Sequence, residues 1–143
     1  MIRSILLIVL AFPFSQNIQS QVTIQDFDDA RIYFDGLFDE NSTLDDYGNI
    51  VIDLGSASAG RYSFRITDVD ITMEERPEEP GCADVCPERI LLTLSCSKSE
   101  CIEDPGIDSG LKTESAVIVF YDLGKGKKAF KIFNSLKAFF KNN

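Results

Sequence analysis

The chain has 143 residues, a formal net charge of −9 and no histidine. The missing histidine removes the Ser-His and Cys-His catalytic dyads and the common zinc-catalytic sites. The acidic surplus makes nucleic acid a poor partner, because its phosphates would be repelled.

Met1-Ile2-Arg3-Ser4 is a short positive segment, and Ile5 to Phe12 (ILLIVLAF) is an apolar run of eight residues. A membrane span needs about twenty apolar residues, so no integral span is expected. The pattern fits a secretory signal peptide over residues 1–20. Cleavage is expected after Ser20, with aliphatic Ile18 at the third position before the cut; Ser15 is the rival, with Pro13 at that position. An uncleaved anchor or a buried strand is the alternative. Residues 21–143 then form one secreted or periplasmic domain.

Within that domain "DFDDARIYFDGLF" is ambiguous. Phe27, Ala30, Phe34 and Leu37 have helical spacing, and a short N-terminal helix is preferred over a strand. "DENSTLDDYGN" (39–49) is oxygen-rich but lacks the alternating calcium-loop pattern, so it reads as an acidic surface loop. Asn41-Ser42-Thr43 matches a glycosylation sequon.

Strands follow. "NIVIDL" (49–54) comes after a turn. "RYSFRI" (61–66) puts Tyr62, Phe64 and Ile66 on one face, and "VDITM" (69–73) puts Val69, Ile71 and Met73 together. The change of parity between Ile66 and Val69 predicts a bulge or bend near Thr67-Asp68. Residues 74–88 read as an acidic, proline-rich loop. "RILLTLSC" aligns Ile90, Leu92, Leu94 and Cys96. "AVIVFY" (116–121), apolar on both faces, reads as a central strand.

Cys82, Cys86, Cys96 and Cys101 are spaced C-x3-C-x9-C-x4-C. Structural zinc pairs sit on knuckle turns, whereas "RILLTLS" between these pairs reads as a strand. Export favours disulfides. Local pairing, 82–86 and 96–101, is preferred over cross-pairing and over a metal, with 96–101 at the mouth of a hairpin around "SKSE". Neither pair has the C-x-x-C spacing of a redox enzyme, and no metal or other cofactor is expected.

The C-terminus reverses the charge. All twenty-three acids lie at or before Asp122, while residues 124–143 carry six lysines and no acid. Ala129, Ile132, Phe133, Leu136 and Phe140 recur at three and four, which predicts an amphipathic helix entered through a turn at Gly124 and Gly126. Lys125, Lys127 and Lys128 crowd its start, where positive charge is unusual. With the neighbouring backbone N–H groups they are candidates for anion binding; solvated lysines beside turn glycines are the plainer reading. Asp68 and Asp70 share one strand face. A pocket gathering several of Asp68, Asp70, Glu103 and Asp122 is what an enzyme built on carboxylates would require.

These elements give an α+β domain: a curved antiparallel sheet or small open barrel of five to seven strands, packed by one C-terminal helix. That order resembles the pleckstrin-homology-like superfold. The leader with its Ser-Gln boundaries and the closing "FYDLGKGKKAFKIFNSLKAF" resemble small uncharacterised secreted proteins of the Bacteroidota. Neither resemblance implies an activity. The expected function is a non-catalytic secreted or periplasmic binding or structural module, with a protein or an anionic ligand as partner. The alternative is a peripheral binder of anions or membrane surfaces through the lysine-rich helix. An exposed stripe of Phe130, Phe133 and Phe140 would favour the alternative, and buried rings the module.

Overall fold

The structure, a computed structural model, describes residues 22–54, 60–82, 86–103 and 111–143. The expected signal peptide, residues 1–20, lies outside the described residues.

Helix α1 spans Phe27–Asp35. Its start is set by Asp26, whose carboxylate accepts the Asp29 N–H at 2.9 Å, with Asp28 and Asp29 favourably placed in the first turn. Ala30 and Phe34 face inward, as the helical spacing predicts.

Eight strands follow: β1 Thr43–Leu44, β2 Asn49–Asp53, β3 Arg61–Arg65, β4 Val69–Arg76, β5 Arg89–Cys96, β6 Ile102–Glu103, β7 Lys112–Thr113 and β8 Ser115–Phe120. They form two open antiparallel sheets, one in the order β1-β2-β3-β6-β7 and one in the order β4-β5-β8. The bend expected near Thr67-Asp68 is a single 3-10 turn, Ile66–Asp68. It carries the chain from the first sheet to the second. Ile66 and Val69 can then both be buried although three residues apart, which an uninterrupted strand would not permit.

Two strand readings need correction. β4 continues through Glu74, Glu75 and Arg76, pairing them with Leu91, Ile90 and Arg89, so the strand enters the segment read as loop. The charges are tolerated because they stay outside: Arg76 pairs with Glu74 at 2.8 Å and Lys127 with Glu75 at 3.1 Å. β8 is not central. It is an edge of the three-stranded sheet, and only Ala116, Ile118 and Phe120 point inward.

Helix α2, Leu123–Asn142, lies against the second sheet and the 3-10 turn. Its first turn is capped by Asp122, whose carboxylate accepts the Lys125 N–H at 2.9 Å. Gly124 and Gly126 lie inside the helix rather than in a turn before it. Gly126 is there for closeness: a Cβ at this position would stand 2.6 Å from the Ile90 Cβ.

Apolar side chains from both sheets and both helices share one core. Ile90, Leu92 and Leu94 of β5 are all fully buried, as their alternation predicts. Phe133 of α2 is also fully buried. It stacks on Phe38 with ring centroids 5.8 Å apart and meets Phe64 edge-on at 6.5 Å. Such ring pairs add to the area each ring removes from water.

Candidate functional site

The cysteines form two pairs at disulfide distance, Cys82 with Cys86 and Cys96 with Cys101, their Cα atoms 5.2 and 5.7 Å apart. No described cysteine is free. The expected hairpin around "SKSE" is not formed. β5 belongs to the three-stranded sheet and β6 to the five-stranded one, so the Cys96–Cys101 bond ties the end of β5 to the residue just before β6 of the other sheet. Its neighbours explain the site. Ser97 N–H donates to the Asp68 carbonyl at 2.9 Å, Cys96 N–H to the Glu114 carbonyl at 2.8 Å, and Cys101 N–H to the Thr113 carbonyl at 3.2 Å. The chain changes sheets at Ile66–Asp68, between Cys96 and Cys101, and at Glu114, and these crossings share one corner. Alternation along single strands shows none of this, because the corner is made by residues far apart in sequence.

The Glu79 carboxylate lies with the Cys82 and Cys86 sulfurs inside a 4.8 Å group. The sulfurs are bonded to each other, and Arg89 pairs with Glu79 at 3.2 Å. A metal would need the thiolates that this bond consumes.

The four carboxylates named for an enzyme go to separate tasks. Asp122 caps α2. Glu103 faces Lys112 at 3.7 Å. Asp68 accepts the Thr67 hydroxyl at 3.3 Å. Asp70 accepts Lys137 Nζ at 2.6 Å and the Ser97 hydroxyl at 3.3 Å. The Lys137 hydrogen bond, then its charge, holds the Asp70 carboxyl below its ordinary value. In the acidic loop, Asp45 accepts the N–H groups of Tyr47 and Asn49 and the Asn49 side-chain amide. Burial pushes its carboxyl up, but those bonds and the charge of Arg65 outweigh it, and the net shift is downward. Asp45 shapes the β1–β2 turn, with Gly48 at φ +79°.

A groove of about 530 Å³ runs beside the end of α1. Arg31, Asp35, Phe38, Asp39, Glu40 and Ser42 are among its walls. Ser42 is buried and accepts the Asp53 N–H at 3.0 Å, so its oxygen serves the fold. One arginine against three carboxylates makes the groove acidic.

The proposed anion-binding lysines lie at the start of α2, where the Asp122 carboxylate already takes the Lys125 N–H. Lys127 is held by Glu75, and Lys125 and Lys128 are exposed. Three aromatics of the same helix turn inward: Phe130 and Phe140 pack against the core around Phe133.

One exposed strand face is apolar. On the outer face of β8, Val117 is 44 % exposed, Val119 39 % and Tyr121, just beyond the strand, 67 %. Val119 stands opposite Leu91 and Val117 opposite Thr93, both half-buried. Among the described residues no strand pairs with the other edge of β8.

Comparison with protein-family models, with curated proteins and with solved structures returned no match. Among the described residues no helix is long and apolar enough to cross a membrane.

Proposed function

We propose that the protein is an exported, non-catalytic binding module whose contact surface is the outer face of β8 and β5. One contrast carries the reading. The four carboxylates named for an enzyme are divided among a helix cap, ion pairs and local hydrogen bonds, while Val117, Val119 and Tyr121 are exposed together on one face. The leader pattern of residues 1–20 and the two disulfides fit an oxidising compartment. The inward-facing rings of α2 support the module over the surface binder.

The second reading, an anion or membrane-surface binder, rests on exposed Lys125 and Lys128 beside the helix start. Titration with inorganic phosphate and with vesicles containing anionic lipid separates the two. The module reading predicts no saturable binding and no effect of K125E/K128E. Saturable binding abolished by K125E/K128E would replace it with the second reading.

A further inference from the structure

We propose that β8 is the edge through which two copies of this chain join, making one continuous sheet from two three-stranded sheets. The inference rests on the reading of β8 as a contact element, extends it from the outer face to the free edge of the same strand, and names the partner.

An unpaired strand edge is a template for another strand. The two long edges of this sheet differ in charge. β4 carries Asp70, Glu74, Glu75 and Arg76, and lysines of α2 already hold Asp70 and Glu75. Residues 115–121 (SAVIVFY) carry no charge at all. In a chain of net charge −9, this is the long edge over which two copies can meet with acid facing acid only at the two ends, where Glu114 of one copy stands opposite Asp122 of the other.

The strand is also its own complement. A two-fold axis at Ile118 pairs β8 antiparallel with itself. Val117 then faces Val119 of the second copy, Ile118 faces Ile118, and Ala116 faces Phe120. Inward residues stay inward, and the outward valines form one apolar strip, a favourable cross-strand arrangement. Tyr121 closes the strip at each end. The same surface is used by both copies, so the assembly stops at two. Glu114 and Asp122 flank the strand and meet only at its rim. Added salt therefore screens the repulsion and tightens the dimer. An assembly driven by the lysine-rich helix against the acidic body would loosen instead.

The test is sedimentation equilibrium over a concentration series, at low and high salt, on protein recovered from cells expressing the full chain. The expected result is a monomer–dimer equilibrium that tightens with salt and contains no larger species. V117K/V119K, which sets lysines against each other across the two-fold axis, should be monomeric and still melt cooperatively. Amide exchange on the wild-type protein does not depend on that variant folding: N–H groups within 115–120 should slow as concentration rises. A monomer at every concentration, open-ended aggregates, a dimer unaffected by V117K/V119K, or exchange independent of concentration would each overturn the inference. A monomer that binds another protein through Val117 and Val119 would overturn it and leave the module reading standing.

Discussion

Lys137 of α2 and Asp70 of β4 meet at 2.6 Å, and the same ammonium donates to the Val69 carbonyl. The lysine is the more enclosed partner: its side chain is 14 % exposed, against 66 % for Asp70. The pair ties the helix to the strand just after the chain changes sheets. Replacing Lys137 by methionine keeps much of the apolar stem but leaves the Val69 carbonyl without this donor. The expected loss is about 1–3 kcal/mol, the usual cost of an unmet buried polar group, read from denaturant melts at neutral pH.

The pH dependence has a definite sign. The Asp70 carboxyl is held below its ordinary value of 3.8. Its contribution is therefore complete above that value and is lost as pH falls through the lowered one. Wild type should exceed D70N in stability at neutral pH, and the gap should close in acid below the ordinary carboxylate range. A gap that stays constant down to that acid limit would mean that charge at Asp70 plays no part.

Gly126 and Gly124 should respond oppositely to alanine. A Cβ at Gly126 meets Ile90 atoms at 2.6 and 2.9 Å, whereas at Gly124 the nearest atom is Asp122 Oδ1 at 3.3 Å. Alanine in a helix is worth up to about 1 kcal/mol over glycine, and overpacking a core costs about 1–3 kcal/mol. Thermal melts should therefore show G126A destabilised and G124A unchanged or stabilised. Equal effects would contradict the close approach of α2 to β5.

The two disulfides should contribute unequally. Each closes a short loop, so chain entropy allows about 2 kcal/mol apiece. Cys96–Cys101 also holds the corner where the chain changes sheets, and C96A/C101A should lower the denaturation midpoint more than C82A/C86A. Intact mass should fall short of the reduced chain by about four hydrogens, two per disulfide. Four titratable thiols would contradict the pairing.

The sequence carried what depends on neighbours along the chain. Ile90, Leu92 and Leu94 alternate, Ala129, Ile132, Phe133 and Leu136 recur with the helical period, and both signals survive packing because each reports one face of one element. It failed where a property belongs to two distant segments. Val117 and Val119 look central because they are apolar on the outer face, yet a strand's place in a sheet depends on what pairs with its other edge. Lys137 reads as one more surface lysine, since its partner Asp70 lies 67 residues away. Gly126 reads as a turn because its packing reason, Ile90, is in another strand. The candidate surface was hidden for the same reason: an outward valine is exposed or buried according to whether another element covers that face of the sheet.

The contact surface is tested most directly by site-specific photo-crosslinking in cells expressing the full chain. A photoreactive side chain replaces Val119 in one variant and Lys128 in another. The outer face of β8 is the contact surface if position 119 yields a discrete protein adduct and position 128 yields none; an adduct of twice the chain mass would identify the second copy. Adducts confined to position 128, with position 119 reacting only with solvent, would contradict the account and place binding at the lysine-rich start of α2.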